Sequence, residues 1–252
     1  MQPFTGTSPG KAPQRYSINV RIYVCVSWHG TPHAGGACGY ENLFDRGYGL
    51  ENTALSEPFY KNGLACGSCY EVKCNNDPRW CLPGRSVKVT VTNFCPDTRH
   101  ITKPFYYHNN MIINSRIGLN SPYLSHFDLS MPMFMKIADI TAGLIPVLYR
   151  RIPCSKVGGV KFELKGNPWF LTVLVYNVAG AGDVVGVSVK GGNTGWMSMN
   201  RNWGQVWDVH AQLGGQSLSF RVSTGDGRTV EAYDVAPSNW QVGQNYEAHV
   251  QF

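Results

Sequence analysis

The placement of cysteine constrains this chain most. Of eight cysteines in 252 residues, seven lie between Cys25 and Cys95, the eighth is Cys154, and none follows. A half rich in potential cross-links joined to a half with none reads as two domains, which this length can hold. The stretch "CGSCYEVKCNNDPRWC" carries Cys66, Cys69, Cys74 and Cys81. A C-x-x-C step is a common zinc half-site, but a zinc ribbon needs a second compact pair. His29 and His33 in "HGTPH" are a weak candidate, because a Gly-Thr-Pro run does not form the helix that would put them on one face. Disulfides are therefore expected, with no metal and no cofactor. They imply an oxidising compartment and a secreted protein.

Composition narrows the fold. Charged residues make up 15%, against a usual ~25%. With 28 Gly and 15 Pro and short β-branched runs, the chain reads as all-β and rich in turns. The net charge of +6 comes without a dense Lys/Arg block or a basic helix, so no nucleic-acid partner is expected. No stretch approaches the ~20 apolar residues of a transmembrane span. The opening "MQPFTGTSPGKAPQRYSINV" is polar and carries Lys11 and Arg15. The run "IYVCVSW" barely reaches the core length of a signal peptide, and Arg21 interrupts the alternation before it. No signal peptide is evident, and residues 1–33 are expected to lie outside the fold.

Residues 31–66 read as loops and turns. "RSVKVTVTNF" (Arg85 to Phe94) alternates with period two, as a half-buried strand does. The segment 97–125 is long and aperiodic and reads as a loop. "SMPMFMKIADI" predicts a short helix with Ser130 as N-cap and Pro132 in the first turn. "LIPVLYRRIPC" predicts a strand ending at Cys154. Beyond it, strands such as "WFLTVLVYNV" and "VVGVSVKG" alternate with Gly, Asn and Asp turns, and "TGDGRT" marks a hairpin. That texture predicts a β-sandwich. The G-x-G of "GAGDVVG" joins strands with no helix behind it, so a dinucleotide role is excluded.

Two residue sets carry candidate chemistry. Asp128, in "HFDLS", is a carboxylate between Phe127 and Leu129, a setting that raises an acid's pKa by desolvation. Glycoside hydrolysis normally takes two carboxylates, and residues 1–40 contain no Asp or Glu. Asn93 offers one route to a lone-acid mechanism. Contact with glucan hydroxyls, or bracing of the helix near Pro132, are the other roles open to Asp128. The second set is aromatic. Five of seven tryptophans fall after Cys154: Trp169, Trp196, Trp203, Trp207 and Trp240. Exposed rings suit the flat faces of β-linked glucose. Trp196, Trp207 and Trp240 are expected in the sandwich core, and Trp203, between Asn202 and Gly204, at the surface.

The segments "GGACGYENL", "NGLACGSCYEVKC", "WCLPG", "VTVTNFCP", "HFDLSMPMF", "IPVLYRRIPC", "GGVKFELKG", "RNWGQVWD" and "APSNWQVGQNYE" together resemble the plant expansins, specifically the alpha-expansin group. The resemblance covers roughly residues 34–96 and 126–252. It implies an all-β protein: a double-psi β-barrel over 34–158, like that of family-45 endoglucanases, followed by an immunoglobulin-like β-sandwich over 168–247 that binds cellulose. It implies a secreted, monomeric cell-wall protein that is not an enzyme. Such a protein loosens the wall by disrupting non-covalent contacts between cellulose and matrix glucans. A hydrolase of the family-45 type and an inactive cellulose-binding relic are the alternatives. Trp169, Phe170 and Trp203 align with the family's glucan-stacking aromatics, and Asp128 with the acid of the endoglucanases. The family pattern implies disulfides Cys38–Cys66, Cys69–Cys154 and Cys74–Cys81. The chain departs from the family at its N-terminus, where "VSWHGTPHAGGACGY" replaces a groove-lining strand, and in 97–125, where the usual partner of Cys95 is missing. Cys25 and Cys95 are left over, as a bridge or as two thiols.

Overall fold

The computed structural model describes residues 17–23, 36–95, 125–167 and 169–252. Six strands form a closed barrel: β1 (Ser17–Tyr23), β2 (Asn52–Ser56), β3 (Cys69–Cys74), β4 (Val87–Cys95), β5 (Phe127–Leu129) and β6 (Leu144–Ile152). Their order around the barrel is β1-β5-β2-β4-β3-β6. β1 runs parallel to β5 and β2 parallel to β4, while the other pairs are antiparallel. Crossed parallel pairs inside a closed sheet are the double-psi arrangement. Two one-turn helices, α1 (Glu57–Tyr60) and α2 (Met131–Phe134), attach to its strands.

The barrel forms because its strands supply β-branched and aromatic residues on the inner face, which suit a pleated, buried surface. Leu55, Val72, Val89, Val91, Phe127, Leu129, Ile145 and Val147 fill it. Phe127 packs edgewise on Tyr70 at 5.2 Å and against Tyr149 at 5.1 Å.

Two readings from sequence are corrected here. β1 belongs to the barrel, so residues 1–33 do not all lie outside the fold. Ile18, Val20 and Ile22 alternate with Asn19, Arg21 and Tyr23; Arg21 falls in phase with the polar positions and breaks no period. β2 lies in a stretch read as loop. "NTALS" is too short to show alternation, and its neighbours β4 and β5 pair with it on both sides. Helix α2 starts after Ser130 as expected, but the Ser130 hydroxyl donates to the Leu50 carbonyl instead of capping the helix.

The second domain holds two antiparallel sheets. One has order β10-β9-β13-β14, the other β11-β12-β8-β7-β15. The strands are β7 (Lys161–Asn167), β8 (Phe170–Tyr176), β9 (Val184–Gly191), β10 (Met197–Ser198), β11 (Asn200–Trp203), β12 (Val206–Val209), β13 (Leu218–Thr224), β14 (Thr229–Ala236) and β15 (Asn245–Glu247). Phe162 from one sheet stacks on Phe220 from the other at 4.2 Å. β7 and the buried Val160 and Ala248 are part of this sandwich, so it begins before 168 and continues past 247.

The five-stranded sheet docks on the barrel. Its Leu174, Tyr176 and Val206 join the barrel's apolar cluster. Arg46 meets Glu163 at 2.5 Å, Lys165 pairs with Glu41, and Arg151 with Asp183. Gln205 binds the barrel through its backbone N–H to Cys38 O (2.9 Å) and its side-chain amide to Cys66 O (2.8 Å). Gly204 has φ +51°, and a Cβ there would lie 2.5 Å from the Cys38 carbonyl, closer than any real contact.

Candidate functional site

Alternation along β8 sorts its side chains. Leu171, Val173 and Val175 enter the sandwich core. Leu174 and Tyr176 face the barrel, and Phe170, on the same face, lies toward the other end of the strand. The outer surface of this sheet is thus covered by the barrel at one end and open at the other.

Phe170 and Trp203 belong to this face by strand alternation and pairing, and Trp169 stands next to Phe170 at the turn before β8. Trp169 is 66% exposed and Trp203 48%, while Phe170 is half-buried, edge-on to His210 at 4.6 Å. Trp169 precedes β8 in a turn, so strict alternation does not govern it. The Asn167 side-chain oxygen accepts the N–H groups of Trp169 (2.9 Å) and Phe170 (3.0 Å), which sets both residues. Gly166, at φ +89°, allows the turn; a Cβ there would lie 2.2 Å from Phe170 O. Trp203 ends β11 next to Gly204 and reaches the barrel: its ring lies 3.4 Å from where a Cβ on Gly39 would stand. Trp203 therefore stands at the domain junction.

The other tryptophans divide. Trp207 and Trp240 are buried in the sandwich. Trp196 is not in the core, contrary to the sequence expectation. Arg221, outward-facing on β13, lies over its ring at 4.5 Å, and Tyr233 meets it edge-on at 6.0 Å. A guanidinium partner lets a tryptophan rest on the outside of a sheet.

Asp128 lies on the barrel face opposite Phe127 and Leu129 and is 4% exposed. Its backbone carbonyl accepts from the Thr53 hydroxyl at 2.8 Å. His126 Nε2 stands 3.8 Å from Asp128 Oδ2. Donor atoms of Cys95, His126 and Asp128 all lie within 4.8 Å of one another. Asn93 spends its side-chain oxygen on the backbone N–H groups of Ala37 and Phe94, at 2.8 Å each. Of the barrel's glutamates, Glu71 pairs with Arg150 and Ser86, and Glu41 with Arg46 and Lys165.

Disulfides join Cys38 to Cys66, Cys69 to Cys154, and Cys74 to Cys81. The second spans 85 residues and ties β3 to the end of the barrel. Cys25, His29, His33, the replaced strand segment before Gly36 and nearly all of 97–125 lie outside the described residues.

Fold and site define a two-domain β-protein: a double-psi barrel and an immunoglobulin-like sandwich with exposed aromatic rings, one of them, Trp203, at their junction. The comparisons agree on which such protein. Residues 160–237 match the family model of the expansin C-terminal domain, and 52–149 match a model described as lytic transglycolase. The chain is 52% identical to expansin-A22 of Arabidopsis thaliana, covering 97% of this chain and 82% of that protein. It is 44% identical to expansin-A32 of Oryza sativa subsp. japonica, covering 96% and 90%. The crystal structure of apo Clavibacter michiganensis expansin superposes with a TM-score of 0.65 at 21% identity, covering 92% of this chain and 96% of that one. A mutant of the same bacterial expansin in complex with cellohexaose gives 0.65 at 20% identity, over 93% and 96%. The chain belongs to the expansin family.

Proposed function

We propose that this protein loosens plant cell walls by binding cellulose and matrix glucans and breaking their non-covalent contacts, without hydrolysis. One observation carries the reading: Trp169 and Trp203 are well exposed on the sandwich, Phe170 lies half-buried next to Trp169, and Trp203 stands against the barrel. Rings of this kind give a flat glucan contact area at small cost in side-chain entropy. Family membership and the cellohexaose held by the bacterial expansin support glucan as the ligand. We assign stacking to Trp169, Phe170 and Trp203, and place the protein in the extracellular wall as a monomer. Among the described residues no helix is long and apolar enough to cross a membrane.

Hydrolysis fits the barrel poorly. Among the described residues, the cluster around Asp128 contains one carboxylate, and one carboxylate cannot both protonate the leaving oxygen and activate water on the opposite face. Asn93, the alternative partner, has its oxygen tied to two backbone N–H groups. Asp128 is buried, so any contact it makes with glucan is secondary to the rings.

The test is extension of heat-killed wall strips under constant load, with reducing ends assayed in the same bath. The expected outcome is creep with no reducing sugar released. Creep accompanied by new reducing ends that Asp128→Asn abolishes would establish the hydrolase instead.

A further inference from the structure

We propose that Cys95, His126 and Asp128 form a binding site for a divalent transition metal of the zinc class. Strand register brings them together. Asp128 lies opposite Ala54 across the β5–β2 ladder, and Ala54 opposite Asn93 across β2–β4. Two residues along, Ser56 lies opposite Cys95. The backbones of Ser56 and His126 are held by Ser56 N–H to His126 O (3.2 Å) and by His126 N–H to Ser56 Oγ (2.9 Å). Residues two apart on a strand share a face, so His126 and Asp128 from the β5 segment and Cys95 from β4 rise on the same side of the sheet, across the intervening β2. That side is opposite the core-facing Phe127, Leu129 and Leu55. Ala54, between the donors, carries only a methyl group.

The donor set has the composition a metal needs. Sulfur, imidazole nitrogen and carboxylate oxygen suit zinc, and three protein ligands leave a fourth tetrahedral position open. On binding, the Cys95 thiol passes its proton to solvent as the sulfur–metal bond forms. Thiolate and carboxylate then carry two negative charges against the ion's two positive ones, so the three donors and the ion together carry no net charge. The donor atoms lie within 4.8 Å of one another, and His126 Nε2 and Asp128 Oδ2 within 3.8 Å. Ligand bonds of about 2.0 Å at the tetrahedral angle put two such atoms about 3.3 Å apart, so closing the site takes shifts of about 0.5–1.5 Å. His126 and Asp128 stand on a strand anchored by the buried Phe127, the kind of support that fixes ligand geometry. The sequence expectation of no metal rested on the C-x-x-C run, which is consumed by disulfides; this site draws on none of those cysteines.

Cobalt(II) is the probe, because a cysteine thiolate bound to it gives a near-ultraviolet charge-transfer band. Full-length oxidised protein is titrated with Co²⁺ and then with Zn²⁺. The expected result is a stoichiometric band that Zn²⁺ bleaches. Cys95→Ser abolishes the band, and His126→Ala or Asp128→Asn weakens Co²⁺ binding more than about tenfold. Cellulose pull-down on the same samples reports the sandwich, and near-ultraviolet dichroism the barrel. No band in the folded wild type overturns the proposal, as does a band that survives Cys95→Ser. A thiol count showing Cys95 oxidised also overturns it.

Discussion

At the scale of single residues, exposure separates the rings proposed to bind glucan from packing rings. Trp203 and Trp207 are four positions apart on one hairpin, yet Trp203 is 48% exposed and Trp207 3%. Trp203→Ala is therefore expected to weaken cellulose binding about tenfold, the loss of one stacked ring of about 1.4 kcal/mol. Melting should be nearly unchanged. Trp207→Ala should instead cost about 3–5 kcal/mol of stability. Equal effects of the two substitutions on pull-down and melting would refute the division. The sequence made this distinction legible through the Asn-Trp-Gly turn context of Trp203, but not for Trp196, whose Arg221 partner is twenty-five positions away.

Lys156 gives a pH-dependent counterpart. Burial lowers its pKa to about 8 from the usual 10.5, against a smaller opposing pull from Glu51. Its ammonium lies 4.2 Å from the Tyr48 ring centre, a contact worth about 1–2 kcal/mol. Because the folded pKa is depressed, the unfolded chain holds the proton more tightly between pH 8 and 10.5. Stability therefore rises with pH across that window, and the full cost of the buried charge is present below it. Burial pushes Tyr48 up to about 12, so that ring stays neutral throughout. Lys156→Met should raise stability at pH 7 by about 1 kcal/mol, the desolvation relief exceeding the lost cation–π contact. Thermal melts at pH 7 and pH 10 check it: the advantage should shrink at the higher pH. A variant less stable than wild type at pH 7 would show that the ring contact wins.

At the scale of elements, the turn before β8 settles how the two adjacent aromatics proposed to bind glucan are held. Two adjacent aromatics on a regular strand point to opposite faces, and "NPWF" alone cannot say how that is resolved. The answer lies in Asn167, whose side chain takes both N–H groups, and in Gly166 at φ +89°. Asn167→Ala removes no ring but frees the turn that sets Trp169 and Phe170. It is expected to cost about 1 kcal/mol in stability and to lower cellulose affinity several-fold. Isothermal titration with a soluble cello-oligosaccharide measures this. Unchanged affinity would mean the rings are held by their own packing. Long alternating strands such as β4 were legible because both faces repeat. Short β2 was not, because its place comes from two neighbours rather than from its own pattern.

At the scale of the whole molecule, barrel closure is the feature that sequence periodicity reads least well. β1 pairs with β6 over Ser17–Tyr23 and touches β5 through Tyr23 and Asp128. Closure thus joins two segments more than a hundred residues apart in the chain, and no local window contains that information. The two-domain plan, by contrast, was visible in the cysteine distribution. Every disulfide among the described residues lies in or beside the barrel, while the sandwich rests on its apolar core. This asymmetry makes a prediction about truncation. A chain beginning at Val24 leaves the facing edges of β5 and β6 unpaired, and open sheet edges with buried polar backbone are costly. The loss should be on the order of 5 kcal/mol, comparable with the whole stability of a domain this size. The barrel should then unfold early. The sandwich should keep its own transition, because none of its strands pairs with β1. Calorimetry on the truncated and full chains distinguishes the cases. Two separated transitions are expected for the truncated chain, with the lower one absent from the full chain. A single, unshifted transition would show that the barrel holds without its first strand.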